Sequence, residues 1–430
     1  MSKKTGEEGL YSFYEFFAGT GMARLGLGEE WNCAWANDND PRKVAIYEHN
    51  FGSEHLDSRS VNDVAEELEE NRSPGDAHPT FPRDVDMAWA SFPCQDLSLA
   101  GWQRGMSSER SGAYWPFWKI MRSLQQQGSL PPVICLENVK GLLYGESFLG
   151  LCESLAALGM RFGAFLADAR HFVPQSRPRV FVIAVHANVD LEGLVAASAP
   201  QNSWFPKSVI AAHGSLPAEL QEQWVWWNAS PPTSYSTPEI AALFEDEPGD
   251  VQYSSDAQTE RLLSLMTPLH RGKVDAALEA GGTKIGFLYR RTRNGQQRAE
   301  VRFDGIAGCL RTPKGGSSRQ TVVVVKDGKV RSRLLSRIEA ARLMGISLDA
   351  EGRLPGSSQS FFPSGYTYND AYKAMGDGVA VPVVQHLAST LVNELVARAK
   401  ASTATAASGG NAFLESVDRR ISAWAAASGG

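Results

Sequence analysis

The stretch Trp89-Ala-Ser-Phe-Pro-Cys-Gln-Asp-Leu-Ser98 decides how the rest of the chain is interpreted. The segment from Met87 to Ser91 is small and apolar, which is compatible with a buried strand. Phe92-Pro93 ends that strand, because proline lacks an N–H and fixes its own φ. Cys94 therefore follows a strand end, where open α/β sheets place ligands and chemistry. An isolated cysteine is more often buried and inert, so its role depends on the surrounding motifs.

The composition is that of a soluble globular protein with two or three domains, since 43% of its 430 residues are hydrophobic and 21% are charged. Its five cysteines are scattered, which predicts neither disulfides nor a metal site and fits a reducing cytoplasm. The first residues lead into no apolar run, and no window reaches the 18 or more apolar residues of a membrane span. We therefore expect a cytoplasmic protein without a membrane partner.

The charge is distributed unevenly along the chain. Between Lys284 and Arg337 there are 14 Lys and Arg residues against three acids, a local charge of +11 in a chain whose net charge is −6. The remainder then carries −17. This asymmetry predicts a polyanion-binding face on an acidic body.

The amino-terminal half predicts a nucleotide-like ligand. Ser12–Phe17 has the composition of a strand, and Ala18-Gly-Thr-Gly21 forms a glycine-rich turn that lets a ligand approach the backbone. The next strand, Cys33–Ala36, is followed by the carboxylates of Asp38 and Asp40, about 20 residues after the glycines. Such folds hold a ribose hydroxyl pair at this position. Asp38 or Asp40 could instead be a simple helix N-cap. Together the two features favour an adenosine-containing cofactor.

Strands continue to alternate with helical segments up to Val185, which predicts a parallel, doubly wound α/β sheet. The last two of these strands are Pro132–Leu136 and Arg179–Val185. Because the carboxyl ends of parallel strands meet at one edge, we expect one group of polar side chains to lie together there: Cys94, Glu137, Gln175, Arg177 and Arg179.

Five motifs in order give the chain a resemblance to a known family over roughly residues 11–395. They are Phe16-Phe-Ala-Gly-Thr-Gly, Phe92-Pro-Cys-Gln, Glu137-Asn-Val, Gln175-x-Arg-x-Arg and Gly376-Asp-Gly-Val-Ala-Val-Pro-Val. The set resembles that of the DNA (cytosine-5)-methyltransferases of prokaryotic or phage type. The resemblance implies a Rossmann-like methyltransferase sheet with an inserted, smaller, β-rich target-recognition domain. We expect a catalytic domain at residues 1–188 and 363–400, the inserted domain at 189–362 and a flexible tail at 401–430.

The resemblance also assigns catalytic roles. Cytosine carbon 5 is a poor nucleophile, and adding a thiolate to carbon 6 makes it enamine-like, which is covalent catalysis. Cys94 would supply that thiolate, and it is the cysteine placed for this role by its strand end. Attack puts negative charge on ring nitrogen 3 and on the carbonyl oxygen, where Glu137 and Arg179 would stabilise it. Arg177 would support the site.

The cofactor that the resemblance implies is S-adenosylmethionine. The family pattern also implies which residues of this chain contact it. Asp38 would hold the ribose, and Asp63 would bind the adenine amine. The other implied contacts are Phe17, Gly19, Thr20, Met22, Asn39, Pro93, Tyr114, Asp377, Gly378 and Val379. Two residues depart from the pattern, since the family usually has Asn where Asp377 stands and often Asp where Glu15 stands.

The implied substrate is double-stranded DNA with its target cytosine flipped out, because a base inside a duplex cannot be reached. Gln95 and Ser98, which follow the nucleophile, are implied DNA contacts, and Ser98 would hold a flanking phosphate. The implied DNA contacts in the basic region are Arg290, Arg291, Arg311, Lys314 and Arg319. We expect Arg311 or Arg319 to read a base edge; the alternative is that all of these residues contact phosphate. The family often has Thr where Cys309 precedes Leu310.

Two other functions stay open at this point. One is a tRNA cytosine-5 methyltransferase, although the characteristic Cys-Phe-Thr signature of the RNA-modifying branch is absent from the sequence. The other is a catalytically inactive DNA-binding relative, against which the presence of Cys94, Glu137 and Arg179 argues. We expect a monomer and leave open a cognate restriction endonuclease as a functional partner. The sequence does not give the DNA recognition site.

Overall fold

A computed structural model of the chain describes residues 10–70, 81–93, 112–233, 239–293, 295–311 and 319–406. Four residues with predicted roles, Cys94, Gln95, Ser98 and Lys314, lie outside these ranges, and so does most of the predicted tail.

A seven-stranded sheet forms the body of the protein, with strand order β3-β2-β1-β4-β5-β7-β6. Its strands are β1 (Tyr11–Phe16), β2 (Trp31–Asn37), β3 (Leu56–Asp57), β4 (Met87–Ala90), β5 (Val133–Asn138), β6 (Met160–Asp168) and β7 (Pro178–His186). The predicted α/β sheet and its central strands are confirmed. The expectation of a wholly parallel sheet was wrong, because β7 is antiparallel to both β5 and β6.

The antiparallel strand changes how the catalytic edge is formed. β6, which the sequence interpretation omitted, runs parallel to β5, and a short connection returns the chain along β7. The start of β7, and not its end, therefore meets the carboxyl ends of β1, β4 and β5. Arg179 is the second residue of β7. It lies at the predicted edge because β7 begins there, whereas the neighbouring strands end there.

Helices cover both faces of this sheet. The first five are α1 (Met22–Leu27), α2 (Pro41–Phe51), α3 (Val61–Glu70), α4 (Tyr114–Gln126) and α5 (Glu146–Ala157). Asp40 caps α2 by accepting the Arg42 backbone N–H at 3.0 Å, which is the N-cap role considered for it from the sequence.

The middle of the chain begins with short elements packed on the large sheet. They are β8 (Val195–Ala196), α6 (Lys207–Gly214), α7 (Ala218–Gln223), β9 (Trp226–Trp227) and α8 (Ile240–Leu243). Trp204, Trp224 and Trp227 are buried in the core of the large sheet. The division of the chain at residues 188, 362 and 400 stays a prediction.

A second, four-stranded antiparallel sheet has the order β11-β10-β12-β13. Its elements and the helices beside it are α9 (Asp256–Ser264), α10 (Pro268–Glu279), β10 (Lys284–Arg293), β11 (Gln296–Arg302), β12 (Thr321–Lys326) and β13 (Lys329–Leu334). One face packs on α9 and α10 around Leu288 and Val301. The other face joins the core of the large sheet through Phe287 and Val322. The small sheet is thus fixed to the catalytic body by one of its own faces.

The remaining helices are α11 (Arg337–Leu343), α12 (Tyr368–Asp377), α13 (Val381–Leu387) and α14 (Asn393–Ala406). Ser336 and Glu339 form a capping box at the start of α11. α13 packs on α1 so closely that a Cβ on Gly26 would lie 2.5 Å from the Cβ of Val384. This contact brings the carboxyl-terminal segment against the glycine turn after β1.

The segment Tyr368–Ser402 is long and apolar enough to cross a membrane by length and composition, but 61% of its most apolar window is buried inside the fold. That burial is typical of core helices.

Candidate active site

A cleft of about 1520 Å³ opens at the carboxyl edge of the large sheet. Its walls come from the residues after β1, β2, β4 and β5, the start of β7, the segment around Gly376–Val379 and the near face of the small sheet. Motifs that are far apart in the sequence therefore meet in one cavity. The predicted convergence at this edge holds for Glu137 and Arg179, which both line it.

Glu137 and Arg179 form a buried acid–guanidinium pair. Glu137 is the fifth residue of β5, and its Oε1 lies 3.0 Å from Nε of Arg179, with side chains 7% and 14% exposed. Burial raises the pKa of the Glu137 carboxyl, while the two nearby arginines, Arg179 and Arg177, act to lower it. The carboxyl can therefore hold a proton at a higher pH than an exposed glutamate does. This is the property that a general acid needs.

Arg177 lies behind the cleft and joins three segments. Its side chain is 1% exposed. Nη1 donates to the Leu310 carbonyl at 3.1 Å and to the Cys309 sulfur at 3.2 Å, while Nη2 donates to the carbonyls of Gly376 at 2.9 Å and Gly378 at 2.5 Å. The sequence interpretation placed Arg177 among the catalytic residues. In the structure its two Nη atoms contact the backbone of the cleft walls and the Cys309 sulfur, while its Nε has no hydrogen-bond partner in the described part of the chain.

Gln175 adds further contacts between these segments. It is fully buried, and its side chain accepts the Leu310 N–H at 3.0 Å and donates to the Leu343 carbonyl at 2.8 Å. The neighbouring backbone adds bonds from Ser176 N–H to the Ala307 carbonyl and from Ala307 N–H to the Pro174 carbonyl. The segment that leads out of the small sheet is thereby fixed against the catalytic edge.

The described cysteines divide by location. Cys33, Cys135 and Cys152 are buried, and burial raises the pKa of each thiol, in Cys33 to about 12. Cys309 is partly exposed and lines the cleft, so the sequence-based statement that Cys94 alone is placed for nucleophilic attack needs a control. Cys94 lies outside the described residues, but Pro93, the residue before it, lines the cleft.

The glycine turn after β1 forms the opposite end of the cleft. Phe17 has a φ of 55° and Gly19 a φ of 60°, both in the left-handed region, which is strained for Phe17. The Thr20 side chain is 3% exposed, and its Oγ1 is buried without a hydrogen-bond partner in the described part of the chain. Met22 and Gly378 face each other here, since a Cβ on Gly378 would lie 2.4 Å from the Met22 sulfur. An orphaned hydroxyl in a tight cradle fits a polar ligand.

Asp38 lies beside this turn. Its Oδ2 accepts the Gly19 N–H and its Oδ1 accepts the Asp40 N–H, each at 2.9 Å. Burial raises the pKa of the Asp38 carboxyl, although Lys43 and these two backbone donors oppose the rise. Each carboxylate oxygen has two lone pairs, so one acceptor position on each oxygen stays available to a hydroxyl pair. Asn39 lines the same wall.

Two predicted cofactor residues lie away from the cleft. The described cleft residues after β3 are Ser60, Val61 and Asn62, whereas Asp63 is exposed in the first turn of α3. Tyr114 is fully buried and its hydroxyl pairs with Ser154 at 2.5 Å. Asp63 is the third residue of α3, which begins at Val61, and its side chain is exposed. Ser60, before that helix, is a polar side chain that the sequence interpretation missed.

Asp377, which stands where the family usually has Asn, is paired with a lysine on the facing wall of the cleft. Asp377 pairs with Nζ of Lys43 at 3.2 Å, with side chains 33% and 21% exposed. Both residues line the cleft, as do Gly378 and Val379. A carboxylate at this position is thus matched by a lysine from α2.

The predicted DNA-binding residues are separated by the two faces of the small sheet. In the antiparallel register Arg290 pairs with Ala299, and Arg291 pairs with Arg298. Residues paired in this way share a face, so Arg290 points to the α9 and α10 side with Ala299, whereas Arg291 lines the cleft. Arg302 lines the cleft as well and was not among the predicted contacts. Side-chain parity along β10 could have revealed this, since Arg290 lies two residues after the buried Leu288.

Arg311 and Arg319 also differ in location. Arg311 is exposed and lines the cleft. The Arg319 guanidinium lies 5.6 Å from the centre of the Tyr368 ring, outside the described cleft wall. Of the two candidate base readers, Arg311 therefore lies at the cleft and Arg319 does not.

No group of three or more His, Cys, Asp or Glu side chains is arranged to hold a metal ion within the ranges that the structure describes.

The fold and cleft define an α/β protein with an acid–guanidinium pair and a ligand cradle at one sheet edge. The sequence matches the family of C-5 cytosine-specific DNA methylases over residues 11–393. The chain belongs to this family, as the resemblance implied.

Relatives agree with this assignment, and a solved structure agrees with the fold. The chain is 24% identical to the type II methyltransferase M.BsuFI of Bacillus subtilis over 90% of this chain and 73% of that protein. It is 25% identical to the type II methyltransferase M.HhaI of Haemophilus parahaemolyticus over 89% and 94% of the two chains. The crystal structure of the S. pombe Dnmt2 methyltransferase superposes with a TM-score of 0.52 at 15% identity, covering 90% of this chain and 99% of that one. At that identity the superposition supports the fold alone.

Proposed function

We propose that this protein is a sequence-specific DNA cytosine-5 methyltransferase that transfers a methyl group from S-adenosylmethionine to a flipped-out cytosine through a covalent Cys94 adduct. The observation that carries the proposal is the cleft that holds the Glu137–Arg179 pair at one end and the Thr20 and Asp38 cradle at the other. Its two ends correspond to the two partners of a methyl transfer.

The chemistry follows from where charge develops. When the Cys94 thiolate adds to carbon 6, electrons move into the ring toward nitrogen 3 and the carbonyl oxygen. A protonated Glu137 would donate to nitrogen 3, and the raised pKa of its carboxyl favours that protonated form. Arg179 uses one N–H to contact Glu137 and donates another to the Pro178 carbonyl at 3.0 Å. A guanidinium has five N–H donors in all. The remaining donors suit the carbonyl oxygen.

Adduct formation makes carbon 5 nucleophilic enough to accept a methyl group. Loss of the carbon 5 proton then lets the Cys94 sulfur leave carbon 6 and restores the aromatic ring. This sequence needs a thiol that can ionise, which the three buried cysteines cannot supply readily. Cys94 is therefore the proposed nucleophile, with Cys309 as the competing candidate.

The residues at the glycine turn fit S-adenosylmethionine, which when bound supplies an electrophilic methyl group. Asp38 would accept from the ribose hydroxyls, and Thr20 would use its orphaned hydroxyl toward a polar group of the ligand. Ser60 and Asn62 would take the adenine end in place of Asp63. Lys43 and Asp377 would close the mouth of the cradle from two walls.

The near face of the small sheet would hold DNA above the cleft. Three of the arginines on this side, Arg291, Arg302 and Arg311, line the cleft. Arg302 is already held by Asp304 at 2.7 Å and Arg291 by Glu300 at 3.3 Å, which orients both side chains before DNA arrives. Arginine can contact phosphate or read guanine in the major groove.

Expression in a bacterium without DNA methylation tests the proposal. Conversion sequencing of the genome should show 5-methylcytosine at one short motif with the wild-type chain and none with Cys94→Ser. Methylation confined to RNA would replace DNA by tRNA as the substrate. No methylation from a folded chain that binds S-adenosylmethionine and DNA would identify an inactive relative.

A further inference from the structure

The strand register places three side chains in line beside the catalytic acid. β4 pairs with β5 so that Trp89 lies opposite Cys135 and Ala90 opposite Leu136. Continuing this register by one residue brings Ser91 opposite Glu137. Since alternate residues of a strand share a face, Trp89, Ser91 and Glu137 point to the same side of the sheet, and all three line the cleft.

The Ser91 hydroxyl lies between the Trp89 indole and the Glu137 carboxyl. The Trp89 indole Nε1 donates to the Ser91 hydroxyl oxygen at 3.0 Å. The Ser91 side chain lies beside the Glu137 carboxyl in this register and acts to lower the pKa of that carboxyl by hydrogen bonding. An indole N–H can only donate, so a hydroxyl that accepts from it turns its own proton away from the ring. The Ser91 proton is therefore directed away from Trp89 and is available to the Glu137 carboxyl.

The surroundings make this arrangement rigid. Trp89 is 1% exposed and meets the Phe181 ring edge-on, with the centroids 6.3 Å apart. The Ser91 backbone N–H donates to the Phe16 carbonyl at 3.4 Å. The Asn138 side chain, next to Glu137, donates to the Phe92 carbonyl at 2.9 Å. The strand ends that carry Ser91 and Glu137 are thus tied to each other and to β1.

We propose that Ser91 is a positioning residue for Glu137, which it holds in the cleft as a one-way donor and whose protonation it tunes. The proposal rests on the proposed function, in which Glu137 donates a proton to the target base. Glu137 must carry a proton before the transfer and must release it easily afterwards. Ser91 stabilises the ionised carboxylate from one side.

The other charged groups around Glu137 act in the same direction. Arg179, in β7, contacts the carboxyl directly, and Arg177, just before β7, acts from behind it. Burial opposes all of these influences and raises the pKa of Glu137. Removing the Ser91 hydroxyl removes a bond to the charged form, so the carboxyl should stay protonated to a higher pH.

The test is a pH titration of the Glu137 carboxyl by difference infrared spectroscopy on the full chain, with Glu137→Gln identifying the band. In Ser91→Ala the midpoint should rise by about one pH unit, and in Ser91→Thr, which keeps the hydroxyl, it should return toward wild type. Ser176→Ala is the matched control, since Ser176 also lines the cleft but contacts Asp168. An unchanged midpoint in Ser91→Ala, or an equal shift in Ser176→Ala, overturns the proposal.

A second variant keeps the test decisive if Ser91→Ala does not fold. Trp89→Phe removes the indole N–H and lets the Ser91 hydroxyl turn, so the midpoint should rise by part of the same amount; an unchanged midpoint counts against this orientation of the Ser91 hydroxyl. In single-turnover methyl transfer the alkaline limb of the rate should move with the titration. A chain without methyl transfer would refute the proposed function, while the infrared titration would still decide the role of Ser91.

Discussion

The two sheets of this protein present their functional side chains in different ways. The large sheet uses its edge, where Glu137 and Arg179 lie at the ends of adjacent antiparallel strands. The small sheet uses a face, where Arg291 and Arg302 project from paired strands into the same cleft. An edge collects residues from several motifs and buries them, whereas a face offers exposed charge. In the proposed function, the first arrangement serves chemistry and the second serves contact with a polyanion.

The largest expected effect lies at the edge. Cys94→Ser should lower the methyl-transfer rate on the order of 10⁴-fold or more, because it removes the proposed nucleophile. Cys309→Ser, which changes the other thiol at the cleft, should keep most of the activity. The single-turnover rate with labelled cofactor measures both. If Cys309→Ser is the inactive variant, the nucleophile lies on the side of the small sheet and the comparison fails.

The next effect concerns cofactor binding at the same edge. Asp38→Ala should weaken S-adenosylmethionine binding by about 1–3 kcal/mol, since it strands a polar partner. Asp63→Ala should leave the affinity unchanged, because that side chain is exposed in α3. Calorimetry on folded variants measures both affinities. Equal losses in the two variants would return Asp63 to the site, and no loss in Asp38→Ala would point to Asp40.

A comparable effect is expected in sequence reading. Arg311→Ala should relax the preference at one position of the recognition motif by about 1–3 kcal/mol. Arg319→Ala should keep the motif, because its guanidinium lies over the Tyr368 ring. Genomic methylation profiles of the two variants decide between them. If both keep the wild-type motif and only lose activity, these arginines position DNA without specifying its sequence.

The smallest effect separates the two faces of the small sheet. Arg302→Ala should weaken DNA binding and lower the slope of log K against log salt by about one unit, as expected for one lost phosphate contact. Arg290→Ala, on the opposite face, should leave that slope unchanged. Titrations of a labelled duplex at several salt concentrations measure both slopes. A larger change in Arg290→Ala would place DNA on the α9 and α10 side.

The edge was more predictable from the sequence than the face. Strand ends are marked by local signals such as Phe92-Pro93 and the glycine turn, and they fix which side chains meet. The direction of β7 was not predictable in this way, because the antiparallel return depends on the pairing of β7 with β5 and β6. The predicted edge was correct for Arg179 although the strand direction was wrong.

Residues that act through tertiary contacts were harder to assign. Arg177 belongs to a motif, but only the folded chain shows that its donors hold the backbone near Leu310 and Gly376. Tyr114 begins a predicted helix, yet its ring faces the core and not the cleft. For the basic region, charge indicated a binding surface, and only the register of β10 with β11 divides its arginines between two faces.

Trapping on a mechanism-based substrate tests the central claim most directly. A duplex that carries the recognition motif with 5-fluorocytosine at the target lacks the carbon 5 proton, so the adduct cannot resolve once the methyl group has been transferred. In the presence of S-adenosylmethionine, the wild-type chain and Cys309→Ser should each form a complex with this DNA that survives denaturing electrophoresis, and Cys94→Ser should form none. A stable complex with Cys94→Ser, or none with an active wild-type chain, would contradict the covalent mechanism.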